Sequence, residues 1–232
     1  MTRKFGLIGA NIGYSRSKII FEDIVKDDAT YEIVDVNEIS RELLLEYDGL
    51  NVTTPYKVEV MGYLDDVDGV ASKIGSVNCI KNDNGYLIGY NTDYYGFGKC
   101  ISDSIKSMVV LGNGGVVKTI RTYCLNNNIA LIVCGREESK NYYDVTYDEL
   151  NMYKYLDVDC VVNATKHGCL PPIEYNNINE NTFVFDLAYN IDGSKTDFMK
   201  KCEDCGIKNI IDGRRMLLYQ AMKSYEIWKL NF

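Results

Sequence analysis

A short apolar run that breaks into glycines is the feature that most constrains the fold. Residues 108–115 read MVVLGNGG, residues 115–126 fit a helix, and a second apolar run follows at 129–134. A strand, a helix and a further strand in this order predict a βαβ unit. The glycine turn at the start of such a helix suits the pyrophosphate of a dinucleotide.

The second half of the chain continues the same alternation. Further buried strands are predicted at 158–163, 183–186 and 209–211, with a helix at 196–205. Strands that alternate with helices indicate an α/β protein with a doubly wound parallel sheet. The last segment, 213–228, is predicted to be a helix with one apolar face.

The first half is also predicted to be α/β. Its predicted strands are 5–9, 31–35, 49–53, 74–80 and 86–89. The last two form a hairpin, because residues 82–85 read NDNG, which is typical of a tight turn. A helix at 41–47 is predicted to begin after Ser40 as N-cap.

Two turns in this half contain candidate catalytic residues. Residues 51–57 read NVTTPYK, and Pro55 is expected near the start of a helix, which places Lys57 in its first turn. Residues 89–93 read GYNTD, and Thr92 or Asp93 is expected to cap a helix that extends to residue 103. An ammonium and a carboxylate that face one cleft form a proton-transfer pair. Beside a nicotinamide site, such a pair indicates a carbonyl/alcohol dehydrogenase. The alternative is a surface lysine and an ordinary N-cap aspartate.

Composition excludes several other classes of function. The 232 residues carry a formal net charge of −8, which argues against a nucleic-acid or anionic-membrane surface. The chain has no apolar run long enough to span a membrane, and it enters a strand at once without a signal peptide, so a cytoplasmic location is predicted.

The cysteines and the histidine do not predict a metal site. Most of the 8 cysteines sit singly in apolar runs, as Cys79, Cys134 and Cys160 do, and are expected to be buried. The only close pair is Cys202 and Cys205, which is too few ligands for structural zinc. His167 is the only histidine, and we interpret it as a loop residue.

The chain contains a series of short motifs, which are GLIG at 6–9, SRS at 15–17, NVTTPYK at 51–57, IGSVN at 74–78, GYNTDYYG at 89–96, GNGG at 112–115, NAT at 163–165, DLAYN at 186–190 and DGRRMLLYQA at 212–221. In their order and spacing, these motifs resemble the shikimate dehydrogenase family over nearly the whole chain. Each motif is weak alone, and only their combination is specific.

The resemblance implies two domains. Residues 1–93 with the C-terminal helix 213–232, which returns to them, are expected to form an α/β shikimate-binding catalytic domain. Residues 94–212 are expected to form an NADP-binding, Rossmann-like domain with a doubly wound parallel sheet. The implied reaction is the reversible NADPH-dependent reduction of 3-dehydroshikimate to shikimate, in the chorismate route to aromatic amino acids. The implied partners are this small-molecule substrate and, at most, a second copy of the chain in a homodimer.

The resemblance also assigns the site residues. Lys57 and Asp93 are the implied catalytic pair. Ser15 and Ser17 would hold the carboxylate of shikimate, and Thr53, Asn78 and Gln220 would reach its carboxylate or ring hydroxyls, with Tyr189 at the rim. The implied cofactor-binding residues are Gly112, Asn113, Gly114, Gly115, Asn163 and Thr165, together with Arg136 and Lys140.

NADP is favoured over NAD as the cofactor. Arg136 and Lys140 fit a clamp for the 2′-phosphate, and no acidic residue occupies the end of the strand at 129–134, where NAD enzymes hold the ribose. Val117 and Glu137 depart from the family pattern.

The family's usual histidine before the first serine and proline after the second are here Tyr14 and Lys18, and the stretch between Ser17 and Asn51 is shortened. Two alternatives therefore stay open, an NAD-linked quinate/shikimate dehydrogenase and a catalytically silent shikimate-binding homologue.

Overall fold

The computed structural model describes residues 2–13, 17–25, 29–136 and 144–229. The chain divides into two compact units. The N-terminal unit comprises Met1–Phe97 and Leu217–Phe232, and the middle unit comprises Gly98–Met216.

The N-terminal unit is built on a mixed six-stranded sheet. Its strands are β1 (Arg3–Gly9), β2 (Ala29–Asp35), β3 (Gly49–Val52), β4 (Asp66–Val67), β5 (Cys79–Asp83) and β6 (Tyr86–Tyr90), in the order β2-β1-β3-β5-β6-β4. Strand β1 pairs in parallel with β2 and β3, whereas β5 is antiparallel to β3 and β6. The helices are α1 (Ser17–Val25), α2 (Arg41–Leu45), α3 (Gly69–Ile74) and α4 (Thr92–Gly98), with a 3₁₀ helix at Glu59–Tyr63.

The hairpin and the Ser40 cap are confirmed, but the strand before the hairpin was predicted too long. Asn84 and Gly85 both have positive φ, of 54° and 94°, as a two-residue hairpin turn requires. Residue 74 ends helix α3 instead of starting a strand, because the Asp68 side chain caps the helix and Gly75, at φ 67°, terminates it. The strand therefore begins at Cys79.

The predicted helix around Lys57 is wrong. Residues 54–58 form turns, closed by the bond from the Tyr56 N–H to the Thr53 carbonyl at 3.0 Å, and only the 3₁₀ helix follows. Helix α4 is capped by Asn91, whose Oδ1 accepts from the N–H of Tyr94 at 3.1 Å, and not by Thr92 or Asp93. It ends at Gly98, where the chain turns through the bond from Ile101 N–H to the Gly98 carbonyl.

The C-terminal helix α8 (Arg214–Lys229) packs on the N-terminal sheet, as predicted. The Trp228 ring stacks on Phe5 with centroids 4.5 Å apart, and its Nε1 donates to the Ile80 carbonyl at 2.9 Å. Side chains of β1 alternate between the two faces of the sheet, so Phe5 faces α8 while Ile8 lies in the apolar cluster on the other face.

Gly49 lies where the Trp228 ring of α8 packs closely against the sheet. A Cβ at this position would lie 2.5 Å from both Cδ1 and Nε1 of the buried Trp228 ring. We expect Gly49→Ala to lower the free energy of unfolding by about 1–3 kcal/mol, because the ring must move within a packed core. Denaturant unfolding measures this, with Gly62→Ala as the control, since a Cβ at Gly62 meets no atom within 4 Å. Equal stability of the two variants would contradict the explanation.

The middle unit is a Rossmann-like doubly wound domain. Its strands are β7 (Ser107–Leu111), β8 (Ala130–Gly135), β9 (Asp144–Thr146), β10 (Cys160–Asn163), β11 (Phe183–Asp186) and β12 (Ile210–Asp212). All pair in parallel in the order β12-β11-β10-β7-β8-β9, the dinucleotide-binding arrangement. The helices are α5 (Val116–Asn126), α6 (Tyr147–Asn151) and α7 (Asp197–Asp204), with a 3₁₀ helix at Tyr175–Asn177.

These two sheets and the returning C-terminal helix confirm the predicted fold class. In the part of the chain that the structure describes, no helix is both long and apolar enough to cross a bilayer.

Candidate active site

Lys57 and Asp93 form an ion pair in the N-terminal unit. The Lys57 Nζ lies 2.6 Å from the Asp93 Oδ2, and the two side chains are 32% and 17% exposed. Such a charge-assisted bond fixes the ammonium, and the remaining exposure leaves both groups within reach of a ligand. The structure therefore brings together the two residues that the motifs predicted as a pair.

Backbone bonds fix the turn that carries Lys57. The Lys57 carbonyl accepts from the N–H of Val77 at 2.8 Å, and the Thr53 N–H donates to the Ile8 carbonyl at 2.9 Å. The Tyr56 hydroxyl donates to the Val36 carbonyl at 2.8 Å. A Cβ at Gly9 would lie 2.6 Å from the Thr53 Cγ2, so a glycine is needed for this turn to approach β1 closely.

Asn78 is buried and ties β5 to the start of α4. Its Oδ1 accepts from the backbone N–H of Thr92 at 2.6 Å and lies 3.2 Å from the Thr92 hydroxyl. The Asn91 side chain adds a bond to the Ser76 carbonyl at 2.9 Å. Because Asp93 follows Thr92, these bonds also set the position of the carboxylate.

Gln220 reaches the same group of residues from α8. Its Oε1 lies 3.3 Å from the Thr92 hydroxyl, and its Nε2 donates to the Leu217 carbonyl at 3.1 Å. Asn78 and Gln220 thus contact Thr92, and Lys57 contacts Asp93, the residue that follows Thr92. These contacts connect four of the predicted site residues.

The other predicted substrate residues are placed differently. Thr53 is partly exposed in the turn before Lys57, and Ser17 is the first residue of α1. Ser15 lies outside the described residues. Tyr189 belongs to the middle unit, where it follows β11 and packs near Gly213.

An open groove of about 690 Å³ lies at the carboxyl ends of β7, β8 and β10 in the middle unit. Five of the predicted cofactor residues line it, which are Gly112, Asn113, Gly114, Arg136 and Thr165. Ligands of open parallel sheets bind at this edge.

Gly112 and Gly114, in the turn that lines this groove, differ in their surroundings. Gly112 has φ 106°, and a Cβ there would lie 3.0 Å from the backbone of Ala164 and Thr165, so only glycine fits. A Cβ at Gly114 meets no atom within 4 Å, so the backbone there is open to a close-lying ligand. A turn that is tight at one glycine and open at the next fits a dinucleotide pyrophosphate.

Among the described residues, two of the predicted cofactor residues do not line the groove, namely Gly115 and Asn163. Gly115 lies just before α5, and Lys140 is outside the described residues. Asn163 is buried, with its Oδ1 accepting from the Thr165 hydroxyl at 2.7 Å and its Nδ2 donating to Asp186 at 3.0 Å. It therefore orients Thr165 and does not face the groove itself.

Asp186 was not predicted as a site residue. It is completely buried and accepts from the Thr196 hydroxyl at 2.5 Å and the Ala188 N–H at 3.1 Å. Burial raises the pKa of its carboxyl above the ordinary value, although these hydrogen bonds oppose the shift. The carboxyl links Asn163, at the end of β10, to the loop after β11.

The cysteines and the histidine have ordinary structural environments. Cys79, Cys134 and Cys160 are buried and free, and burial raises the pKa of Cys79 and Cys134 to about 12. His167 is exposed and hydrogen-bonded to the Asn190 Oδ1 at 2.9 Å. Within the described ranges, no three acidic, histidine or cysteine side chains are grouped as metal ligands.

Three buried polar residues were not predicted to belong to the site, namely Thr92, Asn51 and Ser224. The sequence did contain one indication of this buried polar cluster, because Asn51 is a polar residue within the fully buried strand β3. A buried amide requires a hydrogen-bond partner. Ser224 has no comparable signal, because a single serine on a long helix is usually exposed.

Known proteins resemble this chain in both sequence and fold. A family model described as the shikimate dehydrogenase substrate binding domain matches residues 7–80. The shikimate dehydrogenase (NADP(+)) of Clostridium beijerinckii is 36% identical over 252 residues, which cover 97% of this chain and 91% of that protein. The enzyme of the same name from Methanococcus aeolicus is 33% identical, over 98% of this chain and 92% of that protein.

Solved structures agree with this likeness. A chorismate mutase/shikimate 5-dehydrogenase fusion protein from Clostridium acetobutylicum superposes with a TM-score of 0.84 at 34% identity, covering 98% of this chain and 91% of that one. A shikimate dehydrogenase in complex with NADP+ superposes with a TM-score of 0.83 at 28% identity, covering 98% of this chain and 90% of that one. Together with the full-length identities, these matches show that the chain belongs to the shikimate dehydrogenase family.

Proposed function

We propose that this chain is an NADP-dependent shikimate dehydrogenase, an oxidoreductase that reversibly reduces 3-dehydroshikimate to shikimate in the route to chorismate and the aromatic amino acids. The Lys57–Asp93 pair, at 2.6 Å and partly exposed, is the observation that carries the proposal. The names of the full-length relatives support the substrate and the cofactor.

NADPH, when bound, supplies the hydride that reaches C3 of the substrate. The oxygen at C3 then gains negative charge and must receive a proton. Lys57 stabilises that charge with its ammonium group and donates the proton, while Asp93 holds the ammonium in place. In the oxidation of shikimate, Lys57 removes the hydroxyl proton by the reverse step.

Shikimate has a carboxylate and three hydroxyls, so its site needs several short polar side chains. Asn78 already uses its Oδ1 to accept from Thr92, and we therefore assign its Nδ2 to a ring hydroxyl. Gln220 is held by Thr92 and Leu217 and would bind a hydroxyl or the carboxylate. Ser15, Ser17, Thr53 and Tyr189 complete the proposed set.

The cofactor groove of the middle unit suits a dinucleotide with a 2′-phosphate. The open turn at Gly114 would receive the pyrophosphate, and Thr165 would contact the cofactor from the loop after β10. Arg136 lies directly after β8, where the ribose would lie, and is exposed. An arginine there pairs with a phosphate, whereas the strand end offers no carboxylate for an NAD ribose. Lys140 would add a second positive charge.

We expect Arg136→Ala to raise KM for NADP+ about 10-fold, because the variant loses a charge-assisted phosphate contact. KM for NAD+, which lacks that phosphate, should stay within about twofold of the wild-type value. Steady-state rates with each cofactor at saturating shikimate measure both constants. An equal rise in the two constants would show that Arg136 does not select NADP.

The proposed function is tested by following NADPH formation with shikimate at alkaline pH. We expect turnover with shikimate and NADP+, and much slower rates with NAD+ or with quinate. Faster turnover of quinate with NAD+ would replace the proposal by a quinate/shikimate dehydrogenase. Shikimate binding by calorimetry without turnover on either cofactor would indicate a catalytically silent homologue. A cytoplasmic location and a monomeric or homodimeric state stay predictions.

A further inference from the structure

A chain of buried polar side chains runs beneath the proposed substrate residues in the N-terminal unit. It begins at Tyr31, whose hydroxyl donates to the Asn51 Oδ1 at 3.0 Å. The Asn51 Nδ2 then donates to the Ser224 Oγ at 2.8 Å. Ser224 Oγ lies 3.2 Å from the Thr92 hydroxyl, which itself contacts Gln220. This series of hydrogen bonds connects β2, β3, α4 and α8.

Neighbouring groups set the direction of the first hydrogen bonds. Burial raises the pKa of Tyr31 well above its ordinary value, so its hydroxyl stays protonated and donates. This fixes the Asn51 amide with its Oδ1 toward Tyr31 and its Nδ2 toward Ser224. Asn51 lies on the α8 face of β3, since its neighbours Leu50 and Val52 lie in the cluster on the opposite face.

Ser224 is the residue on which these bonds converge. It is completely buried, accepts from Asn51, and donates to the Gln220 carbonyl one helical turn earlier at 3.0 Å. Its Oγ is also one of three acceptors around the Thr92 hydroxyl, the others being the Asn78 Oδ1 at 3.2 Å and the Gln220 Oε1 at 3.3 Å. Both alternative acceptors belong to proposed substrate residues.

We propose that Ser224 is a positioning residue that sets, through Thr92, the orientation of Gln220 and Asn78 toward the substrate. The inference rests on the proposed function. Without the Ser224 hydroxyl, Asn51 Nδ2 keeps only a 3.4 Å contact with the Asn78 carbonyl, so the amide can shift toward Asn78. The Thr92 hydroxyl then loses one of its three acceptors and donates to the Asn78 Oδ1 or the Gln220 Oε1 instead, so the contact that orients the Gln220 amide beside the Leu217 carbonyl changes.

The test is Ser224→Ala, measured in the full chain with shikimate and NADP+. We expect KM for shikimate to rise about 10-fold, the size of one hydrogen-bond contribution, with KM for NADP+ unchanged and kcat within about threefold. In a Gln220→Ala background, Ser224→Ala should raise KM for shikimate by only about threefold, because one of the two residues that it positions is already absent.

The matched control is Ile227→Val on the same buried face of α8. It removes a methylene from the apolar cluster and should lower the melting temperature by a few degrees, without changing KM for shikimate. We expect a similar decrease in melting temperature for Ser224→Ala. An unchanged KM in Ser224→Ala, an equal rise in Ile227→Val, or a full effect of Ser224→Ala in the Gln220→Ala background would each overturn the inference.

The proposed function can fail separately. If the wild-type chain binds shikimate without turnover, the Kd for shikimate is measured by calorimetry for the same variants in place of KM. The changes expected in KM are then expected in Kd, and they test the positioning role of Ser224 in the same way. If the wild-type chain neither turns over nor binds shikimate, both proposals are wrong. If it turns over shikimate and Ser224→Ala behaves as wild type, only the inference about Ser224 is wrong.

Discussion

Replacing Lys57 with alanine should lower kcat for shikimate oxidation by about 10²–10⁴-fold, the usual contribution of a positioned general acid or base. The variant loses the only group that we assign to proton transfer at the C3 oxygen. It should still fold, because the Lys57 side chain is 32% exposed and its one described ion pair is with Asp93. Steady-state kinetics with saturating shikimate and NADP+ measure the loss.

Lys73→Ala provides the matched control. Lys73 is an exposed lysine in the last turn of α3, in the same unit as Lys57. Its replacement should leave kcat within about twofold of wild type, as is usual for surface positions. If Lys57→Ala also retained near-wild-type turnover, another group would have to deliver the proton.

Asp93→Asn should lower kcat by about 10²-fold, since a hydrogen bond between charged groups contributes about 1.5–3 kcal/mol. The amide retains the shape of the side chain but loses the charge that holds the Lys57 ammonium at 2.6 Å. Lys57 is then free to adopt other rotamers, so fewer substrate complexes have the ammonium at the reacting oxygen. The same kinetic assay measures this loss.

A comparison with Asp23→Asn separates the role of this carboxylate from a general charge effect. Asp23 is an exposed residue of α1 in the same unit, and its change to asparagine alters net charge by the same amount. We expect wild-type turnover for Asp23→Asn. Equal kcat values for the two asparagine variants would show that the Asp93 charge has no role in the chemistry.

Periodicity and turn chemistry predicted the middle unit well. The glycine turn located β7, α5 and β8, and β11 at Phe183–Asp186 has the predicted bounds. Strand β9, of three residues, and helix α6, of five, were not predicted. Elements this short contain too few residues for a periodic pattern to appear.

In the N-terminal unit, two elements that were predicted from local sequence patterns are not formed as predicted. The apolar residues before the hairpin suggested a strand, but the Asp68 cap and the positive φ of Gly75 make part of that segment helix α3. The turn around Lys57 was predicted to be helical from Pro55, yet the bonds to Ile8 and Val77 hold it as an irregular turn. These bonds join distant parts of the chain and leave no local pattern.

The pairing of Lys57 with Asp93 was predicted from motifs, but the buried polar contacts of Asn51 and Ser224 were not. Ser224 and Asn51 are 173 residues apart, and only the packing of α8 on β3 brings them together. The need for glycine at position 49 likewise depends on Trp228. A single sequence contains the residue types for such contacts but not the distances between them.

The most direct test of the account is one turnover of shikimate deuterated at C3, with enzyme in excess, in the wild-type chain and in Lys57→Ala. We predict that the wild-type chain transfers the deuterium to the nicotinamide ring of NADP+. In Lys57→Ala the same transfer should be about 10²–10⁴-fold slower although shikimate is still bound. Wild-type rates in Lys57→Ala would contradict the role of the lysine, and absence of deuterium from the nicotinamide in the wild-type reaction would contradict the dehydrogenase itself.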